Sequence, residues 1–402
     1  MELWRRNLWV LWLAQVLAMV GMSAVVPFLP LFVRQLGIND PVAVHHWSGY
    51  VFSAPFLTAI IAQPIWGALA DRYSRKTMVV RAVIGLAVAF ALMGFSRNVQ
   101  ELFLWRLVQG GISGFIAATL GFVVAETPHA FRGYAIGVLQ TSQSIGAVIG
   151  PFLGGIISHY AGMRIVFWIM SSVCVISSAL VIALVREKST SRAQRTDSAT
   201  VWNNLQTAWQ IPGFMVALAC ITLSQMGTIM PNPQMPFYLE SLGIPMSQLQ
   251  IVTGTLVGIT GLATLVAAPQ IGKVVDKHGP RVVVMSSATA AALLLIVQGV
   301  ACSVETVFFS RGFLGIALAG LVPALNTFVS TRVPEGRQSG MMSLASSAML
   351  LGNLISPPVG GWIAAHGGLR LMFFIAASCV GSVPVLLWWL RRRHVRRANA
   401  QG

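Results

Sequence analysis

Long uncharged stretches alternate with short charged ones along the whole chain. Cutting the sequence at every Asp, Glu, Lys and Arg leaves twelve long windows, which we number as spans 1 to 12. They are 7–33, 41–70, 82–96, 107–125, 133–163, 165–185, 198–239, 241–272, 282–304, 312–331, 338–369 and 371–390. A helix needs roughly 20 mostly apolar residues to cross a bilayer, whereas spanning strands are shorter and alternate in polarity. The pattern predicts an all-α membrane protein with twelve transmembrane helices.

The composition agrees with lipid as the solvent. Hydrophobic residues make up 55% of the chain, charged residues only 9%, and the mean hydropathy is +0.74. Soluble domains carry about a quarter charged residues. The net charge of +16 could attract phosphate, but the basic residues lie at the ends of the apolar windows. They form no continuous basic face, so nucleic acid is not an expected partner.

The basic residues also predict an orientation. With the N-terminus in the cytoplasm, 21 of the 27 Lys and Arg residues fall on the cytoplasmic side. Only Arg34, Arg97, Arg164 and Arg370 fall outside, and Arg106 and Arg311 lie within spans. This asymmetry follows the positive-inside rule and predicts that both termini are cytoplasmic. The first window is too long for a cleavable signal peptide, so we interpret it as span 1.

The chain repeats itself after about half its length. The charged segment GALADRYSRK at 67–76 returns as GKVVDKHGPR at 272–281, an offset of 205. Further matches occur at an offset of 205 or 206 residues. They pair the segment 30–37 with 236–243, Arg106 with Arg311, and the segment 162–164 with 368–370. The glycines at 146, 154 and 155 pair in the same way with those at 352, 360 and 361. Six spans per copy preserve the insertion direction, so a pseudo-two-fold axis along the membrane normal is expected. We predict six-helix bundles at 1–185 and 211–402, the second with a basic cytoplasmic tail, joined by a cytoplasmic linker at 186–210.

Three motifs carry a family resemblance. The segment 67–76 resembles motif A of the major facilitator superfamily, residues 106–111 (RLVQGG) resemble its span 4 motif, and residues 146–155 (GAVIGPFLGG) resemble its span 5 antiporter motif. The resemblance covers nearly the whole chain and is closest to bacterial multidrug-efflux members of the drug:proton antiporter branch. One departure is Ser74, where motif A has Gly, whereas Gly279 keeps it in the second copy. We expect the turn after Tyr73 to be strained or differently wound.

The resemblance implies a function. It implies a secondary active transporter of the bacterial inner membrane that exports small amphipathic compounds in exchange for protons, by alternating access. Its partners would be that substrate, protons and membrane lipid; it would need no cofactor and act as a monomer. The alternative is a transporter of a single metabolite, such as a sugar or amino acid, and the span 5 motif favours efflux. The sequence has no nucleophile elbow, HExxH or P-loop, and its cysteines lack metal-binding spacing, so neither an enzyme nor a metal site is predicted.

Motif A implies a conformational latch that holds the cytoplasmic side closed. An ionised Asp71 is well placed at the positive N-terminal end of a neighbouring helix. The basic residues of the motif would pair with it and with nearby acids, and span 11 would be contacted near Gln338. The predicted latch residues are Gly67, Asp71, Arg72, Arg75, Lys76 and Glu126. Setting topology alone would account for the basic residues but not for Asp71.

Span 5 carries glycines at every fourth position. Gly146, Gly150 and Gly154 predict a flat face on which another backbone can pack, and Pro151 permits a bend. Gly155 completes the motif. Ordinary small-residue packing explains this pattern as well, and only the resemblance makes it an efflux signature.

Arg106 and Arg311 are charges inside apolar spans, which makes them functional candidates. Arg106 is our candidate for coupling, although it could instead snorkel past Phe103 and Leu102 to the outer interface. Every acid lies at or near a window edge, so the pattern identifies no proton carrier, and His45 and His46 are expected at the interface.

The resemblance also implies a substrate cavity lined by spans 1, 4, 7 and 10. Polar and aromatic residues at mid-depth, with two from span 5, are the predicted lining. They are Phe28, Phe115, Gln140, Gln143, Asn232, Gln234 and Asn326. A lining without a carboxylate predicts neutral or anionic amphipathic substrates rather than strong cations.

Overall fold

The protein is described by a computed structural model. It describes residues 2–70, 73–112, 114–187, 206, 208–211, 213–331, 333 and 338–399. Within these residues the regular structure is helical. The α-helices, numbered in chain order, are α1 Leu3–Val25, α2 Leu29–Gln35, α3 Pro41–Ala70, α4 Arg75–Gly94, α5 Val99–Gly111, α6 Phe115–Glu126, α7 Arg132–Ala161, α8 Met163–Leu184, α9 Phe214–Ile229, α10 Met235–Ser241, α11 Leu249–His278, α12 Pro280–Val300, α13 Val304–Ser330, α14 Gln338–Gly367 and α15 Leu369–Asn399.

Twelve helical segments of the described residues are long and apolar enough to cross a membrane. Each overlaps one predicted span, so the all-α fold with twelve spans is confirmed. Spans 1, 4 and 7 each consist of two helices, α1 with α2, α5 with α6, and α9 with α10. Short 3₁₀ turns at Val26–Phe28 and Asn232–Gln234 connect the helices of spans 1 and 7.

The duplication is visible in the helix ends. Asn98 and Ser303, 205 positions apart, cap α5 and α13 by accepting hydrogen bonds from the backbone N–H of Glu101 (2.8 Å) and Thr306 (3.3 Å). The connecting glycines repeat too. Gly37 and Gly243 have φ of 94° and 93°, and Gly162 and Gly368 have φ of 87° and 85°. A side chain rarely adopts these angles, so glycine is needed at both copies of each turn.

Two compact units divide the chain. The first contains Met1–Gln194 and Met235–Gly261, and the second contains Arg195–Gln234 and Leu262–Gly402. The predicted bundle boundaries at 185 and 210 follow the sequence alone, whereas packing groups α10 and the first part of α11 with the first unit. Most of the predicted linker lies outside the described residues. The core of the first unit is built from apolar side chains that include Leu8, Phe90 and Phe167.

Candidate functional site

Two of the predicted latch residues, Arg75 and Lys76, begin helix α4. Ser74 is its N-cap residue, and its hydroxyl accepts a hydrogen bond from the Thr77 backbone N–H (3.3 Å). The same hydroxyl donates to the carboxylate of Glu187. That carboxylate also accepts from the backbone N–H groups of Arg75 (3.1 Å) and Lys76 (3.3 Å). Glu187 therefore places a negative charge at the positive end of α4, where it is favourable.

Lys76 makes the reciprocal contact with α8. Its ammonium Nζ donates to the carbonyl oxygens of Ile182 and Val185, both at 2.7 Å. These carbonyls belong to the C-terminal end of α8, where a cation is favourable. The start of α4 and the end of α8 are thus joined by one acid and one base.

The other predicted latch residues are placed less completely. Asp71 and Arg72 lie outside the described residues, and of Gly67 only the helical backbone is described. Glu126 is the last residue of α6 and is half-buried. Glu187 was missed because we assigned it to the linker; the signal was an isolated acid directly after span 6.

The turn at Ser74 decides between the two expected alternatives, strain and a different winding. Ser74 has φ of −56°, an ordinary value, so the predicted strain is absent. The predicted difference in winding is present, because the equivalent Gly279 has φ of 82° and ψ of 152°. The serine caps α4 with its hydroxyl and needs no left-handed conformation.

Arg106 is buried in α5, with 4% of its surface exposed, and does not snorkel. Its Nε donates to the Val51 carbonyl (3.0 Å), its Nη2 to the Phe52 carbonyl (3.4 Å), and its Nη1 to Gln109 Oε1 (2.5 Å). The Val51 carbonyl is available because Pro55, four residues later in α3, has no N–H. A Cβ on Gly110 would overlap the Pro55 carbonyl, so glycine allows α5 to approach α3 closely.

The glycine face of α7 packs on α1. A Cβ on Gly146, Gly150 or Gly154 would overlap α1 atoms between Met19 and Ala24. Gly155 faces the other way, and a Cβ there would lie 2.8 Å from the Gln250 carbonyl of α11. Pro151 lies inside α7, with its carbonyl next to Gly254. The predicted backbone-to-backbone face is therefore present.

The same packing occurs in the second copy, in α14. A Cβ on Gly352 would lie 2.9 Å from the Thr222 carbonyl, and one on Gly360 would lie 2.9 Å from the Met230 carbonyl. Both carbonyls belong to span 7.

The predicted cavity residues differ in how much of their surface is exposed in the structure. Phe28 and Phe115 belong to the hydrophobic core of the first unit, and Gln234 is fully buried in the second. Phe28 and Gln234 expose no surface in this structure, and Phe115 exposes 5%.

The remaining predicted lining residues keep some exposure. Gln140 is exposed and accepts from Gln143 Nε2 (2.5 Å). In the second unit Asn232 accepts from Arg311 Nη1 (3.4 Å), and Asn326 lines a small cavity together with Ser224 and Gln225.

A charged cluster at the predicted outer side was not anticipated. Within the first unit, Arg34 Nη1 and Glu240 Oε2 form an ion pair at 2.7 Å, with both side chains 31% exposed. The Arg34 guanidinium lies 4.6 Å from the Phe237 ring centroid, and the His45 ring packs edge-on against the same ring at 5.0 Å. We call these four residues the outer cluster. Its signal was the match of 30–37 with 236–243, which places opposite charges at one equivalent position.

The described acids are otherwise peripheral. No described Asp or Glu is among the buried residues. In the same part of the chain, no group of three His, Cys, Asp or Glu side chains could hold a metal ion. The described arrangement consists of ion pairs, helix caps and buried arginines.

Comparison with known proteins gives one consistent result. The sequence model of the Major Facilitator Superfamily matches residues 11–223 and 217–402. The chain is 32% identical to multidrug resistance protein MdtG of Escherichia coli (strain K12 / DH10B), over 98% of this chain and 97% of that protein. It is 30% identical to MdtG of Proteus mirabilis (strain HI4320), over 96% of each. Among solved structures it resembles a D-xylose–proton symporter, with a TM-score of 0.80, 15% identity, and coverage of 96% of this chain and 98% of that one.

Proposed function

Because the chain belongs to the Major Facilitator Superfamily and is a multi-pass membrane protein, we propose that it exports small amphipathic compounds across the membrane in exchange for protons. The observation that carries this proposal is its similarity to MdtG along 98% of its length. The aligned region covers both copies of the repeat. We place the protein in the bacterial inner membrane with both termini cytoplasmic.

Alternating access requires contacts that form on one side of the membrane and break on the other. We assign the outer contact to the outer cluster, because Arg34 and Glu240 join the ends of spans 1 and 7. We assign the inner contact to motif A. There Glu187 and Lys76 hold the start of α4 against the end of α8.

The coupling residue in this proposal is Arg106. Its guanidinium links span 4 to span 2 through the Val51 and Phe52 carbonyls. Losing it would leave a buried carbonyl without a donor and would remove a permanent charge from the span. In this proposal, proton binding changes the relative position of spans 2 and 4, and the Arg106 contact transmits that change.

The test is transport in everted membrane vesicles from cells that lack their own efflux pumps. Vesicles with the protein should accumulate a neutral or anionic amphipathic dye when a proton gradient is imposed, and nigericin should abolish the accumulation. Arg106→Ala should lose gradient-driven accumulation but retain equilibration of the dye. Accumulation that survives collapse of the gradient would contradict proton exchange. Transport of a single sugar or amino acid, with no dye or drug moved, would favour the metabolite alternative.

A further inference from the structure

Arg311 is the second-copy equivalent of Arg106, and it has lost the partners that Arg106 uses. It lies in α13 with 5% of its surface exposed. Its Nη1 donates to Asn232 Oδ1 at 3.4 Å, a long hydrogen bond. Its Nε and Nη2 are buried and have no hydrogen-bond partner in the described part of the chain.

The sequence explains why these partners are gone. At the offset of 205, Leu314 replaces Gln109, so the amide three residues after the arginine is missing. Thr260 replaces Pro55, and its hydroxyl donates to the carbonyl of Leu256, the equivalent of Val51. The second copy thus has neither the amide nor the proline-freed carbonyl. Its one addition is Asn232, which at the offset of 206 replaces Val26.

Among the described residues, the charge of Arg311 also has no ionic partner. Neither ion pair in the described residues involves it. Of the described second-copy acids, Glu240 pairs with Arg34, and Glu305 and Asp276 are exposed. Arg311 lies seven residues into α13, about 10 Å along the helix axis from its start. A buried cation at this depth, with no acid beside it in the described residues, is unfavourable and marks a functional position.

The two free nitrogens indicate what would bind. Nε–H and Nη2–H lie on one edge of the planar guanidinium and point in parallel, which is the fork that receives both oxygens of a carboxylate. Asn232 holds the remaining nitrogen, Nη1, and so orients the ring. We propose that Arg311 and Asn232 form a binding site for the carboxylate group of an anionic amphipathic compound. That this compound is transported rests on the proposed function; that it binds does not.

The test is equilibrium binding to the full-length purified protein in phosphatidylcholine nanodiscs, without any gradient. The probes are radiolabelled 1-naphthylacetate and its neutral amide, 1-naphthylacetamide, which differ only at the charged group. Wild type should bind the carboxylate about tenfold more tightly than the amide, or more. Arg311→Gln should abolish this preference while still binding the amide, which also shows that the variant is folded.

Two further variants sharpen the result. Arg311→Lys keeps a point charge without the fork, so an intermediate preference is expected. Arg370→Gln removes the same charge from an exposed position in the same unit and should leave the preference intact. Equal affinity of wild type for the two probes, or a preference that survives Arg311→Gln, would overturn the proposal.

A lipid phosphate is the competing source of an anion. Adding phosphatidylglycerol to the nanodiscs should leave carboxylate binding unchanged if the site serves a soluble compound. Loss of carboxylate binding as phosphatidylglycerol is added would assign Arg311 to a lipid headgroup instead. Because no transport is measured, failure of the carrier proposal and failure of this site remain distinguishable.

Discussion

Ser74 and Gly279 occupy the same place in the two copies of motif A, yet they begin the following helices in different ways. Ser74 caps α4 through its hydroxyl and is held by Glu187. Gly279 begins α12 through a left-handed turn at φ of 82°, followed by Pro280 at the first helical position. In the first copy, side chains bind the backbone N–H groups at the start of the helix. In the second copy, the backbone conformation of Gly279 begins the helix without a side-chain cap.

Arg34 and Glu240 differ in another way. They are equivalent positions with opposite charge, and they bind each other. A repeat of this kind keeps the location of its polar residues while their partners diverge. These different partners give the two copies different tasks. Exchanging equivalent residues between the copies tests this difference.

The largest effect is expected from reversing the charge at the outer cluster. Arg34→Glu places two carboxylates where an ion pair stood and should favour the outward-open state by about 1–2 kcal/mol, roughly a tenfold shift, because the pair is partly exposed. The measurement is the maleimide labelling rate of Ser48→Cys in a protein otherwise free of cysteine. Ser48 is fully buried and lies three residues beyond His45 in α3.

The decisive variant exchanges the two charges. Arg34→Glu combined with Glu240→Arg restores an ion pair between equivalent positions and should return labelling to near the wild-type rate. Arg97→Glu, an exposed arginine on the same predicted side, is the matched control and should not change it. Equal labelling in the single and double variants would show that the cluster does not control opening.

The number and position of the spans followed from apolar length alone, because the bilayer sets that length. The repeat offset correctly paired the turns at Gly162 and Gly368, since both positions need the same φ. Partners could not be predicted in this way. The bond from Arg106 to the Val51 carbonyl depends on Pro55, far away in sequence, and on the close approach that Gly110 permits. Glu187 acts on α4 only because the two helix ends pack together.

A smaller effect is expected from removing the acid that caps α4. Glu187→Gln keeps an acceptor but loses the charge at the helix N-terminus, so unfolding should become easier by about 1 kcal/mol. The melting temperature of the detergent-solubilised protein, measured by tryptophan fluorescence, should fall by about 1–3 °C. Asp276→Asn, at an exposed acid near the C-terminal end of α11, is the control and should not lower the melting temperature. An unchanged melting temperature in Glu187→Gln would mean that this cap contributes nothing to stability.

The smallest expected effect is the difference in stability between variants at the two helix starts, Ser74 and Gly279. Gly279→Ser imposes a side chain on a left-handed turn and should cost about 1 kcal/mol. The reverse change, Ser74→Gly, removes a cap from an ordinary turn and should cost only roughly a few tenths of a kcal/mol. The same melting measurement compares them. Because both changes affect one residue at an equivalent position, a larger loss for Ser74→Gly would mean that the hydroxyl bond to Glu187, rather than backbone conformation, is the stronger determinant of how motif A begins its helix.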